Sequence, residues 1–119
     1  MSTFGDARAD LTEALQRAGV PTFADPATVN PPCALVGPCV RVRVDDTGLC
    51  LLAAEFVVWL MHPAPAGEQA ITWLGDHLGA VVTALMAEGT AVTADLGSYE
   101  DTSGALPAYQ CSVTLTLGE

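Results

Sequence analysis

"CVRVRVDDTGLCLLAAEFVVWLM", residues 39 to 61, decides the fold. In its first six residues Val40, Val42 and Val44 alternate with Arg41 and Arg43, the period-two mark of a strand with two unlike faces. "DDTG" at 45–48 has the composition of a tight hairpin turn. The apolar run from Leu49 to Met61 would also suit a buried helix. Its β-branched and aromatic end, "FVVWLM", and the turn before it favour a returning strand.

On the N-terminal side of this hairpin, "CALV" at 33–36 reads as a short strand, with Gly37-Pro38 as a break or bulge. Before it, prolines at 21, 26, 31 and 32 rule out a helix and leave few donors for a sheet, so residues 21–32 are expected to form a stiff extended arm. Two readings of that arm stand side by side: a pre-extended docking segment, whose rigidity lowers the entropy lost on binding, or a surface connector. "FGDARADLTEALQRAG" precedes it, with Leu11, Ala14, Leu15 and Ala18 at helical spacing and a stop at Gly19 and Pro21.

On the C-terminal side, Glu68 to Glu88 reads as the principal helix. Its apolar stripe is Ile71, Leu74, Leu78, Val81, Val82, Leu85 and Met86, and Gly89 ends it. "TAVTADL" alternates weakly, "GSYEDTSGALP" reads as an acidic loop, and "AYQCSVTLTL" sets Tyr109, Cys111, Val113, Leu115 and Leu117 against Gln110, Ser112, Thr114 and Thr116. Phe56 and Trp59, three apart on a strand, should face opposite ways. The expected fold is one α+β domain over 1–119 in the order α-β-β-β-α-β-β. Its sheet would be mainly antiparallel, with four to five strands, the long helix on one face and a short N-terminal helix. Such a one-sided sheet leaves edges that must be charged or covered, and a partner subunit is one cover.

With 14 acidic residues against four arginines and no lysine, the net charge is −10. That balance argues against sequence-specific nucleic-acid binding, which leans on Lys and Arg at the phosphates, while an acidic wall would keep passing DNA from sticking. No uninterrupted apolar run reaches the roughly 20 residues of a membrane span, and the start lacks a secretory pattern, so a cytoplasmic protein with no membrane partner is expected. In that compartment Cys33, Cys39, Cys50 and Cys111 are read as reduced; their spacing fits no common zinc site.

No catalytic set emerges. His62 and His77 lack a nucleophile and an orienting carboxylate, and the nearest sequence acid to His77, Asp76, points about 100° away on a helix. Asp45-Asp46, Asp95 and Glu100-Asp101 match neither a glycosidase pair nor a calcium loop, and no phosphate-binding or nucleophile-elbow motif occurs. The expectation is a non-enzyme without cofactor or metal.

This element order, with "GVPTFADPATVNPPCALVG" and "LPAYQCSVTLTL" as its most telling pieces, resembles over nearly the whole chain the tail terminator family of long-tailed bacteriophages, particularly those infecting actinobacteria. The resemblance implies a virion protein assembled in the host cytoplasm. Its protomers would form a ring, usually hexameric, on the head-proximal end of the tail. Partners would be the major tail tube protein and a head-completion or connector protein, with genomic DNA passing through the lumen unbound. On that reading Pro21, Phe23, Pro26, Val29, Pro31 and Pro32 are candidates for a subunit or tube interface, and Asp45, Asp46, Glu100 and Asp101 for the channel wall. The alternatives are a head-tail connector or other minor tail protein, an adaptor of a secretion or toxin system and, in a different class, a small cytosolic ligand-binding or enzymatic domain.

Overall fold

The computed structural model describes residues 4–28, 30–44, 52–63, 67–101 and 104–117. The chain runs α1 (Phe4–Arg17), β1 (Thr22–Phe23), a single 3-10 turn (Pro26–Thr28), β2 (Cys33–Val44), β3 (Leu52–Met61), α2 (Glu68–Glu88), β4 (Thr90–Asp101) and β5 (Gly104–Leu117). The fold is α+β, and the element order matches the sequence expectation.

The five strands lie in one sheet, in the order β1-β2-β3-β5-β4. β2–β3, β3–β5 and β5–β4 pair antiparallel, but β1 enters parallel to β2, with Thr22 opposite Ala34 and Phe23 opposite Leu35. The sheet is therefore mixed, which corrects the expectation of a mainly antiparallel one. The cause is the arm: after α1 the chain runs alongside the start of β2 in the same direction, and the Ala34 amide donates to the Pro21 carbonyl at 2.7 Å. Proline removes donors, yet its own carbonyl still accepts.

Two further readings need correction. Gly37-Pro38 does not end a strand: β2 continues from Cys33 to Val44, absorbing the proline in register shifts between Val36 and Cys39 and between Cys39 and Arg41. Such bulges are where an edge strand tolerates proline. The acidic stretch "GSYED" is the second half of β4, paired as far as Asp101 opposite Gly104.

The main core forms on the helix-bearing side. Ala34 and Val36 of β2, Ala54, Phe56, Val58 and Leu60 of β3, and Cys111, Val113 and Leu115 of β5 are buried together with Leu11 and Leu15 of α1 and Leu74, Val81 and Leu85 of α2. The alternate residues of the strands face the other way. There a smaller cluster of Cys33, Leu35, Met61, Leu106 and Ala108 gathers Phe23, Trp59 and Tyr99, the last two edge-to-face at 5.4 Å. Phe56 and Trp59 do face opposite sides.

α1 ends in a Schellman arrangement. Gly19 sits at φ +85°, the Val20 amide reaches the Leu15 carbonyl at 3.2 Å, and the Gly19 amide reaches Gln16 at 3.0 Å. Arg8 then ties helix, arm and sheet together. Its Nε and Nη2 donate to the Val36 carbonyl at 3.1 and 2.9 Å, and Nη2 also donates to the Ala24 carbonyl.

α2 is, among the described residues, the one helix long and apolar enough to cross a membrane by length and composition. Its buried stripe, Ala70, Leu74, Val81 and Leu85, gives that apolar content a role inside the fold. The stripe is narrower than expected, since Ile71 and Met86 are 72% and 64% exposed.

Candidate functional site

Backbone pairing locates the strand edges that no described strand covers. β1 covers β2 only at Ala34 and Leu35, so the outer edge of β2 beyond Val36 meets no described strand. At the opposite side of the sheet β4 is the last strand, and no described strand pairs with its outer edge. Unpaired edges are templates for another strand.

The two edges lie at opposite ends as well as opposite sides. Val42 lies across from Ala54, which lies across from Leu115, near the end of β5. Leu96 of β4 lies across from Tyr109, near the start of β5. The far end of β2 and the far end of β4 therefore occupy diagonal corners, and the molecule is elongated, 50 × 26 × 22 Å.

Both edge strands carry exposed apolar side chains. On β2, Val42 and Val44, across from Ala54 and Leu52, share the face of the main core, and Val40 stands at the register shift between Cys39 and Arg41; all three are exposed, Val44 at 71%. Their alternation suits a core strand; the structure leaves them in water. On β4, Leu96 is 70% exposed and stands beside Ile71 at the mouth of an apolar cleft of about 520 Å³, walled by Leu74, Leu106, Pro107 and Tyr109. This lies in the size range of small-ligand and side-chain pockets.

Charge differs between the corners. Arg41 and Arg43, two of the four cations in the chain, are exposed on β2, on the face away from the helices. β4 presents Asp95 on that same face, opposite Gln110, and exposes Glu100 on the other. A salt bridge joins Glu13 and Arg17, at 3.6 Å on the surface of α1.

The residues singled out from sequence are distributed unevenly. Pro21 and Pro26 are exposed; Phe23 is half-buried in the smaller cluster, and Pro31 and Pro32 are half-buried, joined by a cis peptide bond. The arm thus packs on its own sheet and keeps two prolines outward. Val29, Asp45 and Asp46 lie outside the described residues. Glu100 and Asp101 end β4, and the side chain of Asp101 also lies outside what is described. Val44 and Asp101 end β2 and β4 at opposite ends of the sheet. Sequence reading missed Ile71 and Leu96 as surface residues. The only signal was that the α2 stripe was wider than one sheet face can cover, together with an apolar residue in a weak strand.

The histidines form a surface column. His77 stacks on Trp73 with centroids 4.1 Å apart and donates from Nδ1 to the Trp73 carbonyl at 2.8 Å; His62 lies 5.8 Å from the same indole and bonds the Pro63 carbonyl at 3.0 Å. Each ring is thus oriented by a backbone carbonyl. No group of three or more His, Cys, Asp or Glu side chains converges on a common point among the described residues.

Cys33, Cys39 and Cys111 are free thiols. Burial pushes the Cys33 thiol up to about 11, partly opposed by a backbone hydrogen bond from Asn30. Burial does the same to Cys111, also about 11, and the Asp95 charge adds to it. A thiol raised this far is inert at neutral pH. No protein-family model matches the chain, and no curated protein matches it.

Proposed function

We propose that this protein is a structural subunit that assembles with copies of itself into a ring, and that the ring caps the head-proximal end of a bacteriophage tail tube. The observation that carries the reading is the pair of uncovered sheet edges at diagonal corners of one sheet, each with exposed apolar side chains. Because the two surfaces are unlike, contact between copies is head-to-tail, and head-to-tail contacts close into rings when the rotation allows. The tail-terminator assignment within that class rests on the sequence resemblance, and a head-tail connector is the nearest alternative.

In this reading α2 lies over one face of the sheet, turned away from the lumen. The opposite face, with Thr93, Asp95, Gln110, Ser112 and Thr114, supplies a polar wall for DNA to slide along. Arg41 and Arg43 lie on that face too, so the repulsion of DNA comes from the net charge of −10 per copy summed around the axis and not from that wall alone. The arm, with Pro21 and Pro26 outward, is the segment offered to the tube.

Negative-stain microscopy of the purified protein, alone and mixed with tail tubes, tests the proposal. Rings, and tubes closed at one end by a ring, are expected. A protein that stays monomeric under both conditions would overturn it, and a metabolite retained through purification would favour the ligand-binding alternative instead.

A further inference from the structure

We infer that the contact between copies is a strand addition: β2 of one copy, over its outer residues Arg41–Val44, lies against the outer edge of β4 of the next. Val42 and Val44 then cover the cleft mouth at Ile71 and Leu96. This inference rests on the ring reading and names the surfaces that would build it.

Direction comes first. β2 is antiparallel to β3, β3 to β5, and β5 to β4, so β2 and β4 run in opposite senses. If a second copy continues the sheet with its helices on the same side, its β2 meets β4 antiparallel, the pairing that needs no distortion of either ladder. Register shifts confine the irregular part of β2 to the stretch before Arg41, and Arg41–Val44 is regular and available.

Side chains then match on both faces. Val42 lies opposite Ala54, and Leu96 opposite Tyr109; both partners belong to the helix-side core, so the valine row and Leu96 share a face. On the other face Arg41 and Arg43 of the entering strand meet a strand that offers Asp95 there. Opposite charges across a strand pair favour it and set its register. Arginine on a sheet edge ordinarily deters pairing, so an acidic edge is the one it accepts.

Spacing is compatible with closure. Bringing Val42 level with Leu96 shifts the next copy by the six residues that separate Leu115 from Tyr109, about 20 Å along the strands. It also advances the copy by the four strands β2, β3, β5 and β4, about 19 Å across the sheet. The implied tilt is near 45°, at the upper end of the range found in closed sheets.

The experiment uses two variants of the full chain, each blocking one edge at an exposed position: Val42→Glu on β2 and Leu96→Glu on β4. Circular dichroism and thermal melting confirm that both fold. At a protein concentration where the wild type assembles, each variant alone is expected to sediment as a monomer, with association weakened at least about tenfold. Mixed one to one, they are expected to form a heterodimer and nothing larger, because each retains one intact edge of the opposite kind. Independently, Val42→Cys with Leu96→Cys, in a Cys39→Ser, Cys50→Ser background, is expected to give a covalent ladder on oxidation, and this holds even if a glutamate variant fails to fold. Wild-type assembly in both glutamate variants, or an absent ladder from assembled protein, overturns the strand addition and leaves the ring reading standing. A wild type that never assembles, alone or on tubes, overturns both.

Discussion

β2 beyond its bulge and the second half of β5 have the same pattern, apolar residues alternating with polar ones, and opposite fates. Cys111 and Val113 of β5 are fully buried; Val40, Val42 and Val44 of β2 are exposed. Neither strand differs from the other in local preference. β5 lies between two strands with its apolar residues in the main core, whereas β2 passes beyond β1 after Leu35 and has no described strand on its outer side. Alternation therefore reports that a strand has an apolar face; it does not report what that face meets. In β5 the answer is the chain's own helices, and in β2 the proposal is another copy.

The matched pair Val113→Ala and Val42→Ala should separate the two cases most sharply. At Val113 two methyl groups leave a closed core, and unfolding in denaturant should show a loss of about 2–3 kcal/mol, the transfer cost plus an unfilled cavity. At Val42 the monomer's stability should move by less than about 0.5 kcal/mol, as for an exposed site, while self-association weakens. Equal losses at the two positions would mean that the β2 valines are covered within the monomer, and the comparison would fail.

Gly89 tests how closely the covered half is packed. It joins α2 to β4 in an extended conformation that any residue can adopt, so φ does not require glycine. Space does: a Cβ there would run into the Thr114 carbonyl oxygen and would lie 2.7 Å from Cγ2 of Val113. Gly89→Ala is expected to cost about 1–3 kcal/mol by overpacking, read from the denaturation midpoint. A neutral result would show that α2 can lift away from β5 at little cost.

A smaller effect of the opposite sign is expected two residues on. Ala91 has φ +53° where β4 slips register against β5 between Thr90 and Thr93. A left-handed conformation costs a non-glycine residue about 1 kcal/mol, so Ala91→Gly should raise the melting temperature by a few degrees, offset in part by the greater entropy of an unfolded glycine. A fall in melting temperature would argue against the bulge.

Much of the architecture could be read in the residues because punctuation and period agreed. Gly19 with Pro21, and Gly89, bound the helices, and the alternation of "CVRVRV" and "AYQCSVTLTL" marks two strands whatever surrounds them. What could not be read depends on contacts between distant segments. The two-residue parallel β1 exists because the Pro21 carbonyl meets the Ala34 amide, a pairing no local pattern encodes. The second half of β4 is polar and glycine-bearing, so it resembles a loop; it is a strand because β5 pairs with it. The same limit applies to the candidate site. Free edges could be anticipated from a one-helix sheet, but that Ile71 and Leu96 stand together at one corner, and the valines at the other, follows only from the strand order.

The cysteines give the comparison a chemical form. Cys111 of β5 is fully buried with its thiol raised to about 11, whereas Cys39 of β2 is half-buried at the surface bulge, its thiol donating to the Arg41 carbonyl at 3.3 Å. In native protein at neutral pH a thiol reagent should therefore modify Cys39 within minutes and leave Cys33 and Cys111 until the chain unfolds, a difference that peptide mass spectrometry resolves. The raised thiols also set an alkaline limit on stability. Below about pH 9, the ordinary value for a thiol, both are protonated in the folded and unfolded chains and contribute no pH dependence. Between about 9 and 11 the unfolded chain releases these protons while the folded one holds them, so stability should fall as pH rises through that window. Cys111→Ala would remove part of that slope at some cost in packing. If Cys111→Ala left the alkaline limb unchanged, burial would not be what holds that thiol up, and the assignment of a covered β5 would fail.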